Sequence, residues 1–297
     1  MATYTTYDSV GQAEDVSNII TDISPTDCPF YSGIRTENIS ARIHEWQEDS
    51  LAAAADNKAV EGADASMATL SPTTLRTNNT QIFTKAFQVS ATADAVKTYG
   101  RAKETAYALA KSLKELKRDI ERAMVGIDNP AVAGNSSTAR EMASVTQQIA
   151  SGNTVDAGSN ATDALTEAKI LETHQAVYTA GGDPTQLMIK PADSTIVAGF
   201  TAASGRNRTF NDQTTQLTAV VDILVNPFGT LSVVLNRHQL TTHAFLLDPT
   251  MWRTLVLRPV TRTLLSKTGD SDKHFVVGEM SLKHMNFSAD GMITGLS

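Results

Sequence analysis

Almost everything that catalysis or secretion relies on is scarce in this sequence. Cys28 is the single cysteine among 297 residues, so no internal disulfide can form and no Cys-x-x-Cys metal site exists. A lone thiol suits a reducing cytoplasm. The phosphate-cradling G-x-x-x-x-G-K-[ST], the dinucleotide-binding G-x-G-x-x-G, the zinc-binding H-E-x-x-H and the nucleophile elbow G-x-S-x-G are all absent. No run of about 18 apolar residues occurs, so neither a membrane-spanning helix nor a membrane partner is expected. The opening MATYTTYDSV carries no basic and no apolar stretch, and no secretory leader is expected from it. The Asn-x-Ser/Thr triplets are then coincidental.

What is present bounds the rest. The chain is 41% hydrophobic and 19% charged, enough for a sizeable core in one large domain or two ordinary ones. The net charge of −7 opposes a surface built throughout to grip nucleic acid, but allows a local basic patch. The six histidines, His44, His174, His238, His243, His274 and His284, do not fall at metal-ligand spacings, and packing or surface roles are expected for them. Cys28, followed by Pro29, reads as a small buried thiol in preference to a nucleophile. No carboxylate pairing is legible. The expectation is a protein without catalysis, cofactor or metal.

The dominant local signal is YGRAKETAYALAKSLKELKRDIERAMV, from Tyr99 to Val125. Ala102, Ala106, Leu109, Leu113, Leu116, Ile120 and Ala123 recur at alternating steps of four and three, the period of one helix face. No Pro or Gly interrupts it, and a rod of roughly 38 Å is predicted. Lys111, Lys114, Arg118 and Arg122 form a basic stripe on it. From Lys97 to Arg122 there are eight Lys/Arg against four Asp/Glu. Two readings stay open: a solvated face with i,i+4 ion pairs, or a surface that meets phosphates.

Around the rod, the order is distinctive. Val16, Ile19, Ile20 and Ile23 mark a short amphipathic segment, and Cys28-Pro29-Phe30-Tyr31 a small apolar anchor, together read as an arm. Residues 38–50 and 80–90 alternate and are expected to pair as a long two-stranded hairpin. Its tip is Ala-rich, mildly acidic and free of aromatics, a loop or alternatively a short helix at the Ala run. An isolated hairpin is marginal in water, so it should lie on another subunit, with Trp46, Phe83 and Phe87 as the anchors. Lys58 in the tip reads as an exposed lysine, or as one able to crosslink to a neighbour. Later come a helix over Asp163–Ala180 with Leu165, Ala168, Leu171, Val177 and Tyr178 inward, stopped at Gly181-Gly182-Asp183-Pro184, a strand at Leu187–Lys190, and a helix opened by Pro191. An exposed loop over Ala202–Thr215 precedes a run of strands that includes a hairpin around Asn226-Pro227-Phe228-Gly229. Helices early and strands late predict an α+β fold.

Several motifs, in order, resemble one family. They are His44-Glu45-Trp46-Gln47-x-Asp49-Ser50-Leu51 with the following alanines, Glu61-Gly62-Ala63-Asp64-Ala65, Thr80-Gln81-Ile82-Phe83-x-Lys85, the segment from Ala106 to Glu121, Ala180 to Pro184, Phe228 to Leu231, Leu247-Asp248-Pro249, Leu257-Arg258-Pro259 and Lys267 to Lys273. Each is weak, but together they resemble the major capsid proteins of tailed double-stranded-DNA phages. The resemblance implies the Hong Kong 97-type capsid fold: arm, extended two-stranded loop, long spine helix, peripheral domain and axial domain. On this chain the expected divisions are 1–37 for the arm, 38–92 for the extended loop, 93–160 for the peripheral domain with the spine, 161–246 for the axial domain, and 247–297 for the return to the peripheral domain.

The same resemblance implies a shell subunit that assembles with itself into hexamers and pentamers. The shell would be icosahedral and formed in the host cytoplasm, with a portal and scaffolding or decoration proteins as partners. Double-stranded DNA would be held without sequence preference, the basic stripe facing it. No long scaffolding-like segment precedes the arm, and the crosslinking of distant relatives has no motif at Lys58. The alternative class is another virion structural protein, a coiled-coil or tail component built on the rod.

Overall fold

In a computed structural model of the chain, residues 26–62, 64, 67, 70–97, 103–158, 163–200 and 223–297 are described. The segment with Val16 to Ile23 and the loop over 202–215 lie outside them. A short helix α1 (Pro29–Gly33) begins with proline, whose missing N–H would be unpaired there in any case. It is followed by β1 (Arg35–Asn38), β2 (Ile43–Glu48), β3 (Thr74–Asn79), β4 (Gln81–Ser90) and α2 (Ala91–Ala95). The long helix α3 (Glu104–Val125) has 22 residues, about 33 Å by the usual rise. Next come β5 (Thr154–Asp156), α4 (Glu167–Ala180), β6 (Gln186–Ile189) and α5 (Pro191–Ala198). The chain ends with β7 (Ile223–Asn226), β8 (Gly229–Leu235), β9 (Ala244–Leu247), β10 (Trp252–Leu264), β11 (Ser271–His284) and β12 (Gly291–Thr294). The fold is α+β. No described helix is long and apolar enough to cross a membrane.

Local signals explain the punctuation. Thr166 caps α4 by accepting from Lys169 N–H at 3.3 Å, and Gly181 ends it at φ 94°, where a side chain would strain the backbone. Asn226 closes the β7–β8 turn, its side-chain oxygen accepting from the N–H groups of Phe228 and Gly229. The register of β10 against β11 shifts between Val256 and Thr261, around Pro259, which has no N–H for the ladder.

The strands form a four-stranded sheet, β1-β10-β11-β4, a six-stranded sheet, β5-β12-β9-β6-β8-β7, and a separate two-stranded ribbon, β2-β3. This corrects the expected hairpin. Residues 80–90 do not pair with 38–50: β4 pairs with β11, Phe83 opposite Gly278 and Phe87 opposite His274. The partner of β2 is β3, from Ile43 opposite Asn79 to Glu48 opposite Thr74. Tertiary packing decides it, because Phe83 and Val89 bury one face of β4 inside the subunit. The sequence of β3, TLRTNN, is polar and shows no strand period.

Two cores result, and strand alternation connects them. Leu116, Ile120, Ala123 and Met124 of α3 pack with Phe83, Val276, Met280, Leu282 and Trp252 of the four-stranded sheet. Ile170 of α4 and Val197 of α5 pack on Leu187, Ile189, Leu231, Leu246 and Ile293 of the six-stranded sheet. Met188, between Leu187 and Ile189, points into the first core, as do Phe245 and Leu247 either side of Leu246. Successive residues on opposite faces thus lock the two sheets together. The chain changes sheet between Leu247 and Trp252, but β5 and β12 belong to the six-stranded sheet instead of staying with the long helix.

Two predicted apolar faces are also adjusted. On α3 the stripe is buried only from Leu116 onward. Leu113 is 43% exposed and Ala106 is exposed, while Ala102 lies outside the described residues. On α4 the buried side chains are Ile170, Thr173, His174 and Val177, whereas Ala168 and Tyr178 face outward. The buried pair Thr173 and His174 explains the misreading, since polar residues at helix-face positions hide the period.

Candidate functional site

Among the described residues no group of three metal-ligating side chains converges. Cys28 is buried, and burial together with Glu121 pushes its thiol up to about 11, a poor nucleophile. His174 is buried with Nδ1 2.8 Å from the Asn226 amide, and burial lowers its pKa. His284 lies between Gln148 O at 2.7 Å and Asp290 Oδ2 at 2.9 Å, stacked flat on Trp252 at 4.0 Å. Asp290 also accepts from Trp252 Nε1 and from Asp248 N–H. His174, His284 and Asp290 are thus tie points within the fold.

Two surfaces remain, and the first is the β2–β3 ribbon. Its root is clamped to the body. Asn78 donates to Leu282 O at 2.6 Å and accepts from Ala143 N–H at 2.8 Å. Glu48 accepts from Arg76 Nε at 2.6 Å and from Phe287 N–H at 2.9 Å, and the Arg76 guanidinium lies 4.2 Å over the Phe287 ring. At Thr80, Oγ1 donates to Glu279, a buried carboxylate held also by Arg140 at 2.6 Å and Arg258 at 2.9 Å. Beyond the root, the described part of 49–73 has no helix or strand. It holds Leu51 99%, Val60 79%, Met67 90% and Leu70 89% exposed. Lys58 lies in this loop 3.6 Å from Asp56.

The aromatics expected to anchor a neighbouring subunit are engaged within this one. Trp46 is buried against His44 and Phe287. Phe83 is buried in the core beneath α3, and Phe87 is half-buried against that core with His274 at 4.9 Å. The most exposed large apolar side chains among the described residues, Leu51, Met67 and Leu70, are on the loop instead. Phe83→Ala should therefore cost the isolated subunit about 3–5 kcal/mol in denaturant unfolding; a change under about 0.5 kcal/mol would return Phe83 to an exposed role.

The second surface is α3. Its one fully buried charge, Glu121, went unnoticed in the sequence, where it looks like an ordinary helix acid. It accepts from Phe30 N–H at 3.0 Å, Tyr31 N–H at 2.7 Å and Asn236 Nδ2 at 2.6 Å, tying α1, α3 and the segment after β8. Burial pushes its pKa up, against the pull of those bonds. On the outer face Lys111, Lys114 and Arg122 are exposed and Arg118 is half-buried. None forms an ion pair with a described residue. The acid that does pair, Asp119, meets Lys85 of β4 at 2.7 Å. The i,i+4 pairing reading of the stripe is thus not what the structure contains.

Comparison with known proteins agrees with this architecture. Residues 3–297 match the family described as SU10 major capsid protein. The chain is similar to the major capsid protein of Escherichia phage Phieco32, 31% identical over 98% of this chain and 96% of the relative. Among solved structures it resembles the capsid of the native GTA particle, with TM-score 0.67, 10% identity and coverage of 98% and 97% of the two chains. It also resembles the capsid of Cyanophage A-1(L), with TM-score 0.66, 15% identity and 98% of each chain.

Proposed function

Because this chain belongs to the SU10 major capsid protein family, we propose that it closes, in hexamers and pentamers, into an icosahedral shell around double-stranded DNA, acting by shape and contact without catalysis. It is a phage major capsid protein, a component of a virion, with the Hong Kong 97-type capsid fold. The observation that carries the proposal is the β2–β3 ribbon with its loop. A clamped root supports some 25 residues, 49–73, whose large apolar side chains no described part of the chain covers. Such a patch marks a contact surface. We assign Ile43, Leu51, Val60, Met67, Leu70 and Leu75 to the contact with a neighbouring subunit, in place of Trp46, Phe83 and Phe87.

In this assembly the four-stranded sheet with α3 is the peripheral part and the six-stranded sheet with α4 and α5 is the axial part. The stripe of Lys111, Lys114, Arg118 and Arg122 faces the lumen and meets phosphates without reading bases. A portal, and scaffolding or decoration proteins, complete the particle, and assembly occurs in the host cytoplasm. A coiled-coil or tail component is less compatible with α3, whose apolar face from Leu116 onward is already covered by its own sheet. Electron microscopy of the purified full chain tests the proposal. Closed shells with two-, three- and five-fold order are expected; filaments or small discrete oligomers would overturn it.

A further inference from the structure

The basic stripe does not end with α3. The segment after β8 crosses the last turn of the helix, held at both sides: Asn236 donates to Glu121, and Leu240 N–H donates to Val125 O at 2.9 Å. The approach is close, since a Cβ on Gly126 would sit 2.2 Å from His238 O. Between the two ties lie Arg237, exposed, and His238, half-buried. The pKa of His238 is lowered first by burial and then by Arg118, Arg237 and Arg122, while Asp27 meets it through the backbone. Arg118 and Arg122, about one turn apart on α3, and Arg237, next to His238 in the chain, thus bring three positive charges to the end of the helix that His238 crosses. None of them is ion-paired with a described residue, and Arg118 Nε and His238 Nε2 have no hydrogen-bond partner among those residues. Like charges gathered on one patch repel, and an anion from outside would relieve them.

We propose that Arg118, Arg122, Arg237 and His238 form a phosphate-binding site for the sugar-phosphate backbone of nucleic acid, continuing the line of Lys111 and Lys114 along α3. The inference rests on the reading of the chain as a shell subunit enclosing nucleic acid. Guanidinium groups present paired donors that match phosphate oxygens. The line from 111 to 122 spans about 16 Å, which suits a polyanion whose charges recur about every 3.4 Å along a strand. The acidic loop of a second subunit is a poorer match. Its Asp49, Asp56, Glu61 and Asp64 are spread over the segment, and Asp56 already has Lys58 beside it. No element here is shaped to enter a groove, so sequence-independent binding is expected.

The test titrates the full-length chain with a fluorescent mixed-sequence duplex of about 20 base pairs, from about 50 to 200 mM salt. Arg237→Ala should lower the slope of log affinity against log salt by about 0.9, and removal of all three arginines by about 2.7. Arg237→Lys should keep most of the slope, and Lys58→Ala should leave it unchanged. Arg237 is exposed and makes no side-chain bond to a described residue, so its variants should unfold at the wild-type temperature. An unchanged slope in a normally folded Arg237→Ala chain, an equal loss in Lys58→Ala, or no duplex binding by the wild type would overturn the site. So would a variant that binds the duplex normally but no longer closes shells, which would assign the cluster to a neighbouring acidic segment. Absence of shells from the wild-type chain would instead remove the reading on which the site rests.

Discussion

A chain lacking residues 51–73, with an Asn-Gly turn joining the ribbon, is expected to fold normally and to form no closed shells. The described residues of the deleted segment are all exposed, Leu51, Met67 and Leu70 each at least 89%. Its removal takes away no core contact. It also shortens a loop, which favours folding by about 0.6 kcal/mol per halving of loop length. Asp49-Ser50-Asn-Gly then makes a four-residue connection between Glu48 and Thr74, a length that antiparallel ribbons accept. Thermal unfolding of the subunit should shift by no more than a few degrees. Assembly should respond very differently. Each of the four large apolar side chains offers about 1.5–3 kcal/mol on full burial, and the contact recurs at every subunit of a shell. Losing it should reduce shell yield at least tenfold by electron microscopy and sedimentation. Shells at wild-type yield would show that the ribbon is an ornament and that closure lies elsewhere.

Glu121→Ala should destabilise the subunit itself by about 3–5 kcal/mol, or roughly 10 °C in unfolding temperature. The substitution leaves the N–H groups of Phe30 and Tyr31 and the amide of Asn236 buried without an acceptor. It also opens a void between α1 and α3. Glu121→Gln keeps the shape but turns donors toward donors, and about 2–3 kcal/mol is expected. A pH dependence separates the carboxylate from simple packing. Burial raises Glu121 above its ordinary value of 4.5. The folded state therefore binds this proton more tightly than the unfolded state does. The stability so gained is fully present below the unfolded value and is lost as pH rises through the raised folded value. The stability difference between wild type and Glu121→Gln should accordingly widen as pH falls from neutrality toward 4.5. A difference that stays flat or narrows would mean that the three hydrogen bonds outweigh burial.

What the sequence alone determined is what neighbouring residues determine. The α3 period, the left-handed glycine that ends α4, the Asn226–Gly229 turn and the absence of catalytic motifs depend on spacings of a few positions. The ordered motifs that resemble the capsid family are read in the same linear way. Only the tertiary structure decided which strand pairs with which. β4 is as good a hairpin partner by pattern as any, yet it lies on β11, nearly 200 positions later, because that places Phe83 under α3. The same packing turned three expected interface aromatics inward and left the loop's aliphatic side chains outside. Glu121 gives no local sign of burial, since its donors come from Phe30, Tyr31 and Asn236. Arg237 and His238 join the basic stripe for a similar reason: a strand exit crosses the end of the helix. Hydrogen bonds and charges act through space, and side chains far apart in the chain meet only once the two sheets have closed over their shared strands.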